Sequence, residues 1–241
     1  MIRFVRSGVV LGTGVLIAKL LVTGQIHYYL SPTFDGLTAV TGLVLGGMGA
    51  LELWRALRRS PSVQAEHGGL DAMLSLGVLA APLVAGLLLS PRALGVSGLG
   101  GTPVSRLVLA FDAEQAATPS KAPAPRQPIA DVGDLMAYLR RAGMGGVGQP
   151  VRALGLVARS EDLPPNEFVL VRYTIVHCVA DAQPLGFLVV APDAVNVRGD
   201  QWVEVDGTLA SELRGVDRLV GIEASRIVPT NEPTDPYVSG F

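Results

Sequence analysis

Long runs of apolar residues dominate the first part of the chain. They cover residues 8–29, 34–54 and 70–89. A helix rises about 1.5 Å per residue, so runs of this length reach across a hydrocarbon core of about 30 Å. The first run is too long for a secretory signal peptide, and no small-residue cleavage site follows it. The pattern therefore predicts a membrane domain, residues 1–94, with three transmembrane helices.

Basic residues near the ends of the apolar runs predict the orientation of this domain. Five arginines flank the first two runs: Arg3, Arg6, Arg55, Arg58 and Arg59. Lysine and arginine accumulate on the cytoplasmic side of membrane helices. Three crossings from a cytoplasmic N-terminus place the C-terminal half outside the cytoplasm. We therefore expect a multi-pass protein of the plasma (inner) membrane with an extracytoplasmic C-terminal domain.

Two features of the apolar runs indicate contact with another membrane helix. Lys19 lies near mid-depth of the first run, where a charge costs roughly 3 kcal/mol or more, and the other two predicted helices offer no acid at its level. Gly42 and Gly46 form a Gly-x-x-x-Gly pair that lets helix backbones approach closely. Lys19, Gly42 and Gly46 are therefore candidate contacts with a partner protein. Snorkelling of Lys19 and glycine packing within the membrane domain are the alternatives.

The second half of the chain changes to a strand pattern. Residues 95–130 are rich in Gly, Pro, Ala and Ser, which predicts a linker, and a short helix with Leu135 and Leu139 on its buried face follows. Five segments then show strand-like patterning: residues 151–158, 168–178, 185–190, 202–209 and 220–228. A short helix and five short strands predict a small, all-β, OB-like barrel in residues 131–241.

Composition narrows the range of functions. The formal net charge is −2, so no basic field favours nucleic acid, and aromatic residues for base stacking are sparse. The single cysteine excludes an intramolecular disulfide framework. The sequence contains no phosphate loop, Ser-His-Asp order or recognisable carboxylate pair, which leads us to expect a protein that is not an enzyme.

The candidate chemistry lies at the end of the second predicted strand. His177, Cys178 and Asp181 occur within five positions, and their side chains are of the types that bind a transition metal such as zinc. Adjacent residues of a regular strand point to opposite faces, so His177 and Cys178 share one ion only where the strand bulges or ends. The alternative is that His177 lines a pocket and Cys178 packs in the core.

A set of residues spread over nearly the whole chain is strongest in the C-terminal half, where it includes Arg172, Tyr173, Cys178, Asp181, Trp202, Gly207 and Tyr237. Gly24, Tyr29 and Pro32 between the first two apolar runs belong to the same set. With these residues the chain resembles the YcgQ family of membrane permease subunits. The resemblance implies an accessory role beside a separate polytopic permease and gives no substrate. Family members commonly have two adjacent cysteines where this chain has His177 and Cys178. This exchange rules out a vicinal disulfide and preserves metal ligation.

Two functions follow as expectations. The first is a non-enzymatic accessory subunit of a permease complex, which anchors an extracytoplasmic barrel beside its partner for capture or gating of a solute or metal. The second is a membrane-anchored extracytoplasmic metal or redox sensor, in which Cys178 is the reactive group.

Overall fold

The computed structural model describes residues 2–58, 70–89, 91–99, 110–111, 135, 138–139, 147–160, 163–214 and 217–239. The chain divides into two compact units, Met1–Arg92 and Ala93–Phe241. Most of the predicted linker, residues 95–130, lies outside the described residues, as does Arg59.

Helices make up the described part of the first unit. They are α1 (Ile2–Val22), α2 (Asp35–Arg58) and α3 (Leu70–Leu88). α1 ends at Val22, well before the predicted end at residue 29. The chain turns there because Gly24 adopts a φ of 71°, which favours a residue without Cβ. Two short 3-10 turns, Gln25–Tyr28 and Pro32–Phe34, then lead into α2.

The prediction of three transmembrane helices is wrong. Across the described residues, the segment Pro32–Arg58, of 27 residues, is the one helix long and apolar enough to cross a membrane. The apolar part of α1 is Ser7–Val22, which spans about 24 Å at 1.5 Å per residue, less than a hydrocarbon core. The prediction that the C-terminal half lies outside the cytoplasm was derived from three crossings, so it no longer follows.

The described strands of the second unit form one sheet. Its strands are β1 (Ala110–Phe111), β2 (Pro150–Ala158), β3 (Glu167–Ile175), β4 (Gln183–Val190), β5 (Trp202–Arg214), β6 (Asp217–Pro229) and β7 (Tyr237–Ser239). The hydrogen-bonded order β2-β3-β4-β6-β5 returns to β2, which closes a five-stranded barrel. The β4–β6 pair is parallel and the other pairs within the barrel are antiparallel. The predicted barrel fits this part of the structure.

Alternation along the strands separates two apolar clusters. Phe168, Leu170 and Phe187 point into the barrel and are fully buried. Leu135 and Leu139, which are helical, pack into the same interior cluster, as their spacing predicts. The side chains between these strand positions point outward, and several of them are buried in a second cluster. The barrel therefore has an apolar outer wall as well as an apolar interior.

Candidate functional site

The chain turns sharply where the predicted metal ligands lie. β3 ends at Ile175, three residues before the predicted end at 178, and a short 3-10 helix, Val179–Asp181, follows the turn. The backbone N–H groups of Val176 and His177 donate to the Asp181 carboxylate at 2.9 Å each, and that of Cys178 donates at 3.2 Å. This carboxylate therefore satisfies donors that a continuing strand would have used, which explains why the strand ends early.

The three donors form a small concavity suited to an anion, and the Asp181 carboxylate fills it. Hydrogen bonds from the backbone, with that from Val176 the largest cause, hold the pKa of Asp181 below its ordinary value despite the opposing effect of desolvation. The His177 Nδ1 atom lies 3.2 Å from the same carboxylate and adds to this effect. Asp181 is therefore ionised at neutral pH.

The structure brings two of the three predicted ligands together. His177 and Asp181 are in contact, the His177 side chain is 70% exposed, and Cys178 is half-buried. The end of the strand removes the alternation that would separate His177 from Cys178. The Asp181 carboxylate is engaged by the backbone, however, and no group of three His, Cys, Asp or Glu side chains is placed to hold a metal ion within the described ranges. The metal site stays a prediction.

Lys19 contacts another helix of its own unit. Its Nζ atom donates to the carbonyl oxygen of Leu87 at 2.9 Å. Leu87 lies in the last turn of α3, where carbonyl groups have no partner within the helix and where a positive charge interacts favourably with the helix dipole. The chain thus supplies a polar contact for Lys19, and a contact with a second protein stays a prediction.

The glycine pair also lies between helices of the same unit. A Cβ added at Gly14 of α1 would lie 2.5 Å from the Gly46 backbone nitrogen. One added at Gly42 would lie 2.7 Å from Cγ2 of Ile17. These glycines let α1 and α2 approach closely, which is the alternative that the sequence left open. Contact of Gly42 and Gly46 with a partner protein stays a prediction.

Sequence reasoning missed a second group of polar side chains. The hydroxyls of Tyr173 and Tyr237 and the carboxylate of Asp200 bind the backbone of residues 94–96. Both tyrosines belong to segments that resemble the YcgQ family, and that resemblance was the available signal. Asp200 follows Gly199 in a tight turn, and nothing in the sequence ties it to residues so far upstream.

A buried arginine holds the C-terminal segment. Arg172 is 3% exposed, and its guanidinium donates to the backbone carbonyls of Asp235 at 2.9 Å and Leu154 at 3.4 Å. The same group lies 5.3 Å from the centre of the Trp202 ring. Arg172 therefore acts as a structural tie between β3 and the approach to β7.

Two family models match the chain, one on each unit. The DUF1980 N-terminal domain matches residues 5–100, which include α1, α2 and α3, and the DUF1980 C-terminal domain matches residues 135–239. The chain belongs to the DUF1980 family. The C-terminal DUF1980 domain contains all five barrel strands, the Asp181 turn and the two tyrosines.

A curated relative supports the same assignment. The UPF0703 protein YcgQ of Bacillus subtilis (strain 168) is 29% identical over 94 residues, which cover 38% of this chain and 33% of the relative. The match thus spans a third of the relative's length. The resemblance to the YcgQ family is confirmed.

Proposed function

We propose that this DUF1980 protein is a non-enzymatic, membrane-anchored accessory subunit of a permease complex. The observation that carries the membrane part is the exposure of α2. Only 11% of the most apolar stretch of Pro32–Arg58 is buried within the protein, and the side chain of Leu43 is 78% exposed. An apolar helix that is so little covered needs lipid or another membrane protein around it.

The permease part of the proposal comes from the resemblance to the YcgQ family, and the barrel surface is compatible with a protein partner. On β2 and β5, Arg152 lies between Glu204 and Asp206, and Arg226 of β6 reaches Asp206 at 3.5 Å. Arginines that are paired with acids in this way do not present a phosphate-binding groove. We therefore expect no nucleic acid as partner, and the resemblance leads us to expect a polytopic membrane protein.

Photo-cross-linking in membranes tests this function. A photoreactive amino acid replaces Leu43, which is exposed on α2, and a second variant carries it at Arg198, an exposed residue of the barrel unit. We expect the Leu43 position to give an adduct with a polytopic membrane protein that mass spectrometry identifies as a permease. Adducts at Leu43 with lipid or with further copies of this chain alone would contradict the proposal, and the Arg198 variant reports cross-linking that does not depend on α2.

A metal or redox sensor is the second candidate, and the contact between His177 and Asp181 favours it. A carboxylate that binds one nitrogen of an imidazole orients the ring, as carboxylates do around metal-bound histidines. Elemental analysis of the purified full-length chain tests it after incubation with zinc and removal of excess metal. We expect about one zinc per chain, lost in His177→Ala and in Cys178→Ala and kept in His67→Ala. Equal metal content in all four proteins would exclude this site.

A further inference from the structure

The apolar outer wall of the barrel coincides with the surface that OB barrels use for ligands. Six buried residues define what we name the outer face: Leu156, Ala158, Val169, Val171, Leu188 and Trp202. They lie on β2, β3, β4 and the start of β5. In OB barrels, ligands bind on the second and third strands and on neighbouring loops. Here those strands are β3 and β4, which carry Val169, Val171 and Leu188, so the outer face overlaps the usual ligand position.

A segment of the same chain covers the outer face. We name residues 94–99 the strap. Val96 is 9% exposed and packs into the outer face, and Leu99 packs at its margin. Leu94 packs against Tyr173 and Tyr237 at the neighbouring edge. The strap therefore removes from solvent an apolar surface that would otherwise be an exposed patch on the barrel.

Polar contacts hold the strap by its backbone. The N–H of Leu94 donates to the Tyr237 hydroxyl at 3.1 Å, and the Tyr173 hydroxyl donates to the Gly95 carbonyl at 2.9 Å. The N–H of Val96 donates to the Asp200 carboxylate. Contacts of this kind bind a peptide through backbone groups that every peptide has. The side chains of Val96 and Leu99, in the 3-10 helix Val96–Leu99, add apolar contacts with the outer face.

The Asp200 carboxylate also lies close to Gly95. A Cβ at this position would lie 2.7 Å from Oδ1 of Asp200, so a larger residue would displace the carboxylate that accepts from the N–H of Val96. Asp200 itself has a φ of 61°, a conformation that costs energy for a residue other than glycine and is found at sites that hold ligands. Burial, followed by the charges of Asp200 and Tyr237, raises the pKa of Tyr173, so its hydroxyl remains a donor at neutral pH.

We propose that the outer face is a peptide-binding site and that the strap is its ligand in cis. The ligand class is a short peptide in which a glycine is followed directly by a branched apolar residue at the start of a 3-10 turn, as in Gly95 and Val96–Leu99 of the strap, bound through Tyr173, Tyr237 and Asp200. While the strap is bound, the outer face is closed to other ligands. When the strap leaves, the face accepts the same segment of a second copy of this chain. The inference does not depend on the permease function.

A binding experiment on the full-length chain in detergent tests the inference. Val96→Asp places a charge in the apolar outer face, next to Asp200, and releases the strap. The probe is a fluorescein-labelled synthetic peptide with the sequence of residues 91–101, measured by anisotropy. Ser97→Asp, on an exposed position of the strap, is the matched control. We expect Val96→Asp to bind the probe roughly tenfold more tightly than the wild type or Ser97→Asp do. Adding Tyr173→Phe should weaken that binding roughly threefold to tenfold.

Two results would overturn the inference in this experiment. One is a folded Val96→Asp protein that binds the probe no better than the wild type does. The other is equal binding of a control peptide in which aspartate replaces the valine. Should Val96→Asp fail to fold, hydrogen exchange of the wild type decides. If the strap detaches from a folded barrel, the amide hydrogens of Leu94 and Val96 exchange at least about ten times faster than those of residues 169–171. Equal exchange rates would make the strap part of the core and exclude the peptide site.

Discussion

At the scale of single residues, several charged side chains form hydrogen bonds with backbone groups. Asp181 gathers three N–H groups at the end of β3, and Arg172 joins the carbonyls of Leu154 and Asp235. Lys19 binds a carbonyl at the end of α3. Such contacts do not form a catalytic constellation by themselves. They fix the turns and chain ends that any binding surface of this protein depends on.

Replacing Asp181 by asparagine should make the thermal stability of the protein less dependent on pH in the acid range. The backbone donors lower the pKa of the folded carboxylate, so ionised Asp181 stabilises the fold above about pH 4. That contribution is lost as the pH falls through the lowered pKa. We expect the midpoint of thermal unfolding to be higher for the wild type than for Asp181→Asn at pH 6, and the difference to shrink towards zero near about pH 2.

The exposed residue Asp193 provides the control for this measurement. Asp193→Asn should leave the unfolding midpoint and its pH dependence unchanged. A difference between the wild type and Asp181→Asn that stays constant from neutral to acid pH would show that the carboxylate charge has no part in holding the turn.

At the scale of elements, close packing and sheet closure determine the architecture. α1 and α2 pack through glycines, and a Cβ at Gly49 would lie 2.5 Å from the backbone nitrogen of Leu11. In the barrel, β5 pairs with both β2 and β6, which leaves the sheet closed. Both arrangements satisfy backbone groups or bury apolar surface in ways that one isolated element cannot.

Two single glycine substitutions should differ in their effect on the stability of the helical unit. Gly14→Ala forces α1 and α2 apart, and overpacking of this kind costs about 1–3 kcal/mol. A Cβ at Gly47 meets nothing within 4 Å, so Gly47→Ala should be neutral or should stabilise the helix by up to about 1 kcal/mol. Thermal unfolding in detergent measures both. Equal destabilisation by the two substitutions would contradict the packing of α1 on α2.

At the scale of the whole molecule, the chain combines an apolar helical unit with a closed barrel. Membership of the DUF1980 family covers both units. In the part of the chain that the structure describes, one helix, in the segment Pro32–Arg58, has the length and composition for a membrane crossing. The protein therefore contains one unit with an apolar helix of membrane-spanning length and one unit whose barrel has its outer face covered by the strap.

Charges in the middle of α2 should remove the protein from the membrane fraction. An arginine near the centre of a transmembrane helix costs about 2.5–3.5 kcal/mol. We expect the double substitution Leu43→Arg and Val44→Arg to make the protein extractable from membranes by alkaline carbonate, whereas the wild type resists extraction. Leu57→Arg lies near the end of the helix, where the side chain reaches the interface, and should behave like the wild type. Resistance of the double variant would argue against α2 as the anchor.

The sequence by itself determined the elements whose signal is local. Strand-like patterning between turn residues predicted that all five barrel strands exist, and the helical spacing of Leu135 and Leu139 predicted their burial. The apolar run of α2 was equally plain. These patterns depend on neighbours a few positions apart, and they were sufficient to indicate an OB-like barrel. Where the pattern was lost, at the end of β3, the sequence placed the boundary three residues too late.

Only the tertiary structure decided the contacts between residues far apart in the chain. Lys19 binds a carbonyl 68 positions away, and Tyr173 binds one 78 positions away. A sequence pattern carries no information on which distant backbone group will lie beside a side chain. The first predicted crossing was wrong for a related reason, because α1 ends before the turn at Gly24 and its apolar part, Ser7–Val22, is shorter than a hydrocarbon core. The strap on the outer face arises in the same way, since its burial depends on a wall that exists only after the barrel closes.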